Sequence, residues 1–167
     1  MILHCTVKLF KEMGIDKNNI PEKENTKKNS IDSWYAHLFF INRTKNVIFT
    51  NEETLYTFVA SNVKKEDIRN LSDVFQKELG RALYYEDFRS EEIGSVLSRC
   101  RNIFYSKTAN RGVLGSINDF ILNYKSQLKL VENAPSAIYN INRTLMGYLD
   151  YDYPIVKFHE LIKNTIN

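Results

Sequence analysis

The N-terminal third of the chain carries short runs of β-branched and aromatic residues separated by polar ones, a pattern typical of strands. Residues 1–5, MILHC, predict a first strand. The runs WYAHLFFI and NVIFT flank four polar residues, NRTK, which predicts an antiparallel hairpin over residues 34–50. The next run, TLYTFVA, favours a third strand of a meander, but Asn51 before two glutamates also suits the start of a helix. Residues 50–60 therefore stay open between strand and helix.

In the rest of the chain apolar residues recur every three or four positions, which is the spacing of amphipathic helices. The predicted helices begin at Thr6, Asn70, Ser90, near Leu114, at Asn133 and at Pro154, and Gly14 ends the first of them. The helix that begins at Asn133 is expected to direct inward the apolar residues Ile138, Ile141, Leu145 and Leu149. Between two of the helices, the run RNIFYSKT predicts one more strand.

This order of elements predicts an α+β fold, because the strands cluster early and the helices late. We expect a small, mainly antiparallel sheet from residues 1–5, 34–60 and 102–108, covered by four to six helices, with a mostly helical C-terminal half. Residues 16–33 hold one proline, many charges and no apolar cluster, which predicts a mobile loop within a single domain that spans residues 1–167.

Composition limits the class of protein. A chain of 167 residues with 43% hydrophobic and 13% aromatic residues can bury the core of one globular domain. The formal charge is only +3, so the surface is nearly balanced and lacks the strong basic excess of a dedicated nucleic-acid binder. The many Asn, Lys and Ile residues suggest an AT-rich bacterial or phage genome.

The cellular setting follows from the cysteines and from the absence of long apolar runs in the sequence. Cys5 and Cys100 have no metal-ligand spacing, which favours two reduced core thiols in a reducing compartment. Polar residues interrupt every apolar stretch before it reaches the length of a signal peptide or a membrane span. We therefore expect a cytoplasmic protein with no membrane partner. The tetrapeptide INRT occurs at 41–44 and at 141–144, but its flanks differ, so it is no internal repeat.

The stretch KTANRGVLGSINDF, residues 107–120, raises the question of phosphate binding. A nucleotide-binding P-loop needs a lysine directly after its last glycine, whereas here Lys107 precedes the glycines and Ser116 follows Gly115. Two interpretations remain. The stretch is either the ordinary start of a helix, or a site where Lys107, Arg111 and free helix amides attract an anion.

The surrounding segment supports the second interpretation, because residues 94–118 contain four basic residues and no acidic one. With aromatic side chains interleaved, such a segment could bind a nucleic-acid backbone and stack a base. The candidate ligand-binding residues are Arg99, Arg101, Tyr105, Lys107, Asn110, Arg111 and Ser116. The alternative is an ordinary solvated strand and turn whose glycines serve the backbone.

Catalytic residues are harder to find. Strand alternation puts His37 on the face of Tyr35 and Phe39, where it is a weak candidate for a general base and more simply a histidine at the edge of a core. The acids Asp150 and Asp152 suit a solvated turn better than a carboxylate pair. The sequence contains no motif for a metal or a cofactor, so neither is expected.

Three segments together resemble an uncharacterised family of small bacterial proteins, a domain of unknown function. They are SWYAHLFFINRTKNVIFTNEETLYTF, NRGVLGSINDF and NRTLMGYLDYDYP, in the same order along most of the chain. Family members have a histidine where Tyr35 stands, an asparagine where His37 stands and usually a methionine where Ile117 stands. The resemblance implies a shared fold and no known reaction, cofactor or catalytic residue.

Three functions follow as hypotheses. The first is a non-enzymatic module that binds nucleic acid or another phosphate-bearing ligand through residues 99–118. The second is a protein-interaction adaptor or inhibitor, encoded by a mobile element or phage, that buries aromatic surface from the hairpin and the 16–33 loop against a protein partner. The third, least favoured, is a metal-independent nuclease or phosphoryl-transfer enzyme with His37 as base and Lys107 or Arg111 stabilising charge, which requires these groups to converge.

Overall fold

A computed structural model of the chain describes residues 1–20, 31–131 and 133–166. Most of the predicted mobile loop, residues 21–30, lies outside the described residues, so its mobility stays a prediction. The flanks of this stretch are packed into the protein, since Ile20 and Ile31 are both buried. Among the described residues, no helix is long and apolar enough to cross a membrane.

The described part of the chain forms one sheet of five strands, ordered β4-β3-β2-β1-β5. The strands are β1 (Ile2–Cys5), β2 (Ser33–Ile41), β3 (Thr44–Asn51), β4 (Thr57–Ala60) and β5 (Phe104–Lys107). The three middle-sequence strands β2, β3 and β4 form an antiparallel meander, and β1 runs parallel to both β2 and β5. The predicted α+β class with a mainly antiparallel sheet is thus confirmed, with β1 joining in parallel.

The hairpin is tighter than its polar residues suggested. Ile41 pairs with Thr44, so the turn consists of Asn42 and Arg43 alone and the predicted four-residue turn is wrong. Both turn residues have left-handed φ angles, 46° and 68°. Such two-residue turns match the twist of the strands that they join, which lets Thr44 and Lys45 enter β3.

The open question at residues 50–60 is settled in favour of a strand. The side-chain oxygen of Asn51 accepts hydrogen bonds from the backbone N–H groups of Glu53 and Thr54, at 3.2 and 3.0 Å. This arrangement makes a local turn instead of a helix start, because the chain reverses and β4 then pairs with β3.

Seven α-helices lie within the described residues. They are α1 (Val7–Met13), α2 (Lys65–Arg69), α3 (Leu71–Tyr85), α4 (Ser90–Ser98), α5 (Arg111–Gln127), α6 (Ala134–Ile141) and α7 (Pro154–Ile166). The short helix α2 was not predicted. The prediction that Leu145 points inward is wrong, because α6 ends at Ile141 and leaves Leu145 52% exposed, whereas Leu149 is buried.

The helices cover both faces of the sheet and create two cores. Trp34 is fully buried in the first core, beneath α1, α2, α3, α4 and α7, with the rings of Phe58, Phe75 and Phe158 packed edge-on at 5.4 to 5.7 Å. The next residue, Tyr35, belongs to the second core, beneath α5 and α6. Strand alternation therefore divides β2 between the two cores, as its sequence predicts.

The two cysteines are free and buried, as predicted. Burial raises the pKa of the Cys100 thiol to about 11 and also raises that of Cys5. Both thiols are therefore protonated and unreactive near neutral pH.

Candidate binding surface

The structure separates the four basic residues of the predicted ligand site. Arg99 and Arg101 lie in a 3₁₀ turn that leads into β5, whereas Lys107 ends the strand and Arg111 begins α5. At about 3.3 Å per residue, the four residues of β5 span roughly 10 Å between the turn that holds Arg99 and Arg101 and the strand end at Lys107. The guanidinium Nε of Arg99 lies 3.5 Å from Asp32 Oδ1. The four cations are thus distributed over three successive elements, and binding of a polyanion by residues 99–118 stays a prediction.

The amides at the start of α5 are used by the protein itself. The side-chain oxygen of Asn110 accepts hydrogen bonds from the N–H groups of Gly112 and Val113, at 3.0 and 3.3 Å. Ser116 is buried, and its hydroxyl donates to the carbonyl of Gly112. The glycine-containing loop is thus a helix start capped by its own asparagine, which leaves these two amides no capacity for an anion.

The two remaining sequence candidates, Tyr105 and His37, are both partly buried. Tyr105 packs against the first core, and burial raises the pKa of its hydroxyl. His37 is half-buried, and burial followed by the charge of Lys8 lowers its pKa. Because β5 pairs Lys107 with Cys5, which lies in the first core, Lys107 and His37 occupy opposite faces of the sheet. A catalytic pair of His37 and Lys107 is therefore not assembled.

A chain of hydrogen bonds that the sequence did not indicate connects the sheet to Asn110. His4 Nδ1 donates to the carbonyl of Lys107 at 3.1 Å, and its Nε2 lies 3.0 Å from Ser33 Oγ. Ser33 donates to Glu52 at 2.6 Å. The hydroxyl of Tyr35, whose ring packs on His4, accepts from the Asn110 N–H at 2.9 Å.

This hydrogen-bond chain continues to an exposed tyrosine. Tyr148 lies in a 3₁₀ turn (Gly147–Leu149), and its hydroxyl accepts from the side-chain amide of Asn110 at 2.9 Å. The ring lies so close to Gly112 that a Cβ there would be 2.6 Å from the ring carbon Cε2. Asn110 and Gly112 therefore act together as a seat for Tyr148. The sequence left this loop open between an ordinary helix start and an anion site, and neither interpretation indicated a contact with Tyr148.

Tyr148 forms one wall of a groove of about 510 Å³ between the β3–β4 turn and α7. The polar residues that line it include Glu53, Thr54, Asp150, Lys157, Glu160 and Asn164. Its single described base, Lys157, is shared between two acids, with Nζ 3.0 Å from Asp152 Oδ2 and 3.4 Å from Glu160 Oε2. The groove is thus acidic in a chain that is basic overall.

Glu53 is the least satisfied of these acids. Burial raises the pKa of its carboxyl group. Its Oε2 atom is buried and has no hydrogen-bond partner among the described residues. Pairing with a donor or a cation from outside the chain would compensate this carboxylate.

A strained turn that includes the groove residue Asp150 exposes further tyrosines. Asp150 and Tyr151 both have left-handed φ angles, 54° and 62°, in a turn closed by the bridge between Met146 and Asp152. In this turn Tyr151 is 77% exposed, and Tyr148 and Tyr153, close to it in the sequence, are exposed as well. Left-handed backbone costs a residue with a Cβ about 1–2 kcal/mol, and Tyr lacks the short side chain with which Asn or Asp offsets that cost. The stability of the fold therefore does not explain why an exposed tyrosine occupies this left-handed position.

No cluster of three or more His, Cys, Asp or Glu in the described part of the chain could hold a metal ion. The protein is thus an α+β domain with an acidic groove between the β3–β4 turn and α7. We call it the tyrosine-rimmed groove, after Tyr148 in its wall and the exposed Tyr151 that follows Asp150.

The chain belongs to the family described as domain of unknown function DUF6933, whose family model matches residues 2–157. This confirms the resemblance that the sequence segments suggested. No curated protein is significantly similar to the chain.

Proposed function

We propose that the protein is a protein-interaction module whose binding surface is the tyrosine-rimmed groove. The observation that carries the proposal is Tyr151, held 77% exposed at a left-handed position where glycine or asparagine would be more stable. Tyrosine is enriched at interface hot spots, since it buries a large ring at low entropic cost and keeps a polar end. The proposed surface takes its aromatic side chains from the C-terminal half, whereas the sequence suggested the hairpin and the 16–33 loop.

Neighbouring features support the same surface. Tyr148 is fixed by Asn110 and by close contact with Gly112, so its ring is pre-positioned at 44% exposure. A ring ordered before binding loses less side-chain entropy when a partner arrives. Rigid and exposed aromatic side chains beside a groove are typical of binding surfaces that recognise another protein.

The test uses a variant that stabilises the fold. Tyr151→Gly should raise the free energy of unfolding by about 1 kcal/mol because it relieves left-handed strain. Affinity capture from the native host, compared quantitatively between wild type and Tyr151→Gly, should lose the partner with the variant. The control is Tyr84→Ala, which removes a tyrosine that is 79% exposed on α3, away from the groove. If wild type and Tyr151→Gly recover the same proteins equally, the proposal is wrong.

Polyanion binding through residues 99–118 is the alternative function. It is favoured by Arg101 and Arg111, which are exposed and make no ion pair with another described residue. Fluorescence anisotropy with single- and double-stranded DNA and RNA at low salt tests it. Binding that weakens steeply with salt and is lost in Arg101→Ala and Arg111→Ala would support it, and no binding would end it.

A further inference from the structure

We infer that the partner presents a basic segment, with arginine or lysine side chains, to the groove between the β3–β4 turn and α7. This inference rests on the proposed interaction function and names the chemistry of the partner. The acids Glu53, Asp150 and Glu160 line the groove, and its base Lys157 is already shared by two carboxylates. Charge complementarity therefore selects a cation.

The orphaned oxygen of Glu53 indicates what kind of group is missing. Glu53 lines the groove, and its Oε2 is buried without a hydrogen-bond partner among the described residues, so one oxygen of this carboxylate has no described donor. A guanidinium or ammonium group supplies both N–H donors and positive charge. A neutral partner would leave this oxygen desolvated and unpaired.

The tyrosines at the rim complete the site for a cation. Arginine and lysine bind the faces of aromatic rings as well as carboxylates. The chain uses this contact internally, since the guanidinium carbon of Arg143 lies 3.3 Å from the ring centroid of Tyr139. Tyr148, which lines the groove, and Tyr151, which directly follows the groove residue Asp150, offer exposed rings of the same kind. Carboxylates within the groove and aromatic rings at its rim suit a long cationic side chain, whose methylene groups pack while its head is paired.

The test measures the sign of charge that the groove prefers. A short fluorescein-labelled peptide rich in arginine, its lysine counterpart and its glutamate counterpart are titrated with the intact protein. The arginine and lysine peptides should bind, more weakly as salt rises, and the glutamate peptide should not. Stronger binding of the glutamate peptide would overturn the inference.

Two variants with the same change of charge locate the site. Glu53→Gln should weaken binding of the arginine peptide about fivefold to tenfold, since it removes a partly buried ion pair. Glu66→Gln, which removes an exposed acid of α2 outside the groove, should change it less than about twofold. Equal effects of the two substitutions would mean that the peptide binds by net charge alone and would also overturn the inference.

Stability against pH shows that a loss of binding in Glu53→Gln is not a loss of folding. Because burial raises the pKa of Glu53, its charge opposes folding once the pH exceeds that raised pKa, and the cost disappears on acidification below the unfolded value. Glu53→Gln should therefore unfold at a higher temperature than wild type at neutral pH, with the difference vanishing in acid. A variant that is less stable at neutral pH would contradict the assignment of Glu53 as an unpaired acid.

The inference and the proposed function fail in different ways. If Tyr151→Gly loses the captured partner but neither cationic peptide binds, the interaction function stands and the basic partner is wrong. If Tyr151→Gly keeps the partner while the cationic peptides still bind and depend on Glu53, the groove recognises cations and the tyrosine display is not its function.

Discussion

The tetrapeptide INRT occurs twice in this chain and forms two unrelated structures. At residues 41–44 it is the turn of the β2–β3 hairpin, where Asn42 and Arg43 are exposed and have left-handed φ angles. At residues 141–144 it ends α6, where Asn142 is fully buried. Four identical residues thus supply a solvent-facing turn in one place and a buried polar anchor in the other, because the residues that surround them differ.

The buried side chain of Asn142 binds the backbone of the edge strand β4. Its side-chain oxygen accepts from the N–H of Thr57 and its side-chain N–H donates to the carbonyl of Thr57, each at 2.9 Å. Since β4 is an edge strand, this amide takes the place of a neighbouring strand and satisfies two buried backbone groups.

The largest expected difference in stability between the two copies of INRT concerns their asparagines. Asn142→Ala should lower the free energy of unfolding by about 2–4 kcal/mol, because it leaves the N–H and the carbonyl of Thr57 buried and unpaired. Asn42→Ala should cost only about 0.5–1 kcal/mol, the preference of Asn over Ala for left-handed backbone. Urea unfolding of both variants measures the difference.

Asn142→Asp refines this test, since it keeps the acceptor for Thr57 N–H but replaces the donor to Thr57 C=O by a carboxylate oxygen. It should be at least as destabilising as Asn142→Ala at neutral pH. Comparable losses for Asn142→Ala and Asn42→Ala would show that the buried amide does not anchor the edge of β4.

Local patterns predicted the elements well but not the partners that fix them. Alternation in WYAHLFFI correctly separates Trp34 from Tyr35, and Asn133 caps α6 as expected, accepting from the Ser136 N–H at 2.9 Å. The parallel position of β1, however, depends on pairing with β2 and β5, which no local pattern encodes.

The candidate site was harder to predict for the same reason. The seat of Tyr148 joins Asn110 and Gly112 to a residue more than thirty positions later. The cluster of His4, Ser33 and Glu52 likewise assembles only when β1 lies beside β2. His4 and Tyr35 share a strand face only through this pairing, so the sequence alone carried no signal for the cluster.

The second expected difference in stability is between Arg143 and Arg43, the arginines of the two INRT copies. Arg143 pairs with the buried Glu86, with its nitrogen 2.7 Å from Oε2, and is itself only 34% exposed. Arg143→Ala should destabilise the protein by about 1–3 kcal/mol, because it leaves a buried carboxylate without its cation. Arg43→Ala, in the exposed turn, should stay within about 0.5 kcal/mol of wild type.

A second substitution shows whether the charge of Glu86 causes that loss. The double variant Arg143→Ala with Glu86→Gln should recover part of the stability lost in Arg143→Ala, since no unpaired charge remains buried. If the double variant is as unstable as the sum of the two single variants, the contribution of Arg143 lies in its packing on Tyr139 and not in the ion pair.

The smallest effect is also the sharpest, because one substitution should change stability in opposite directions at the two sites. Arg43→Gly should stabilise the protein by about 0.5–1 kcal/mol, since glycine adopts a φ of 68° without the steric cost that a Cβ imposes. Arg143→Gly should instead destabilise it, because the ion pair to Glu86 is lost and a flexible residue is placed just after α6. Thermal unfolding of the two variants side by side measures both signs. Two changes of the same sign would mean that the sequence of INRT, and not its surroundings, sets the stability of these sites.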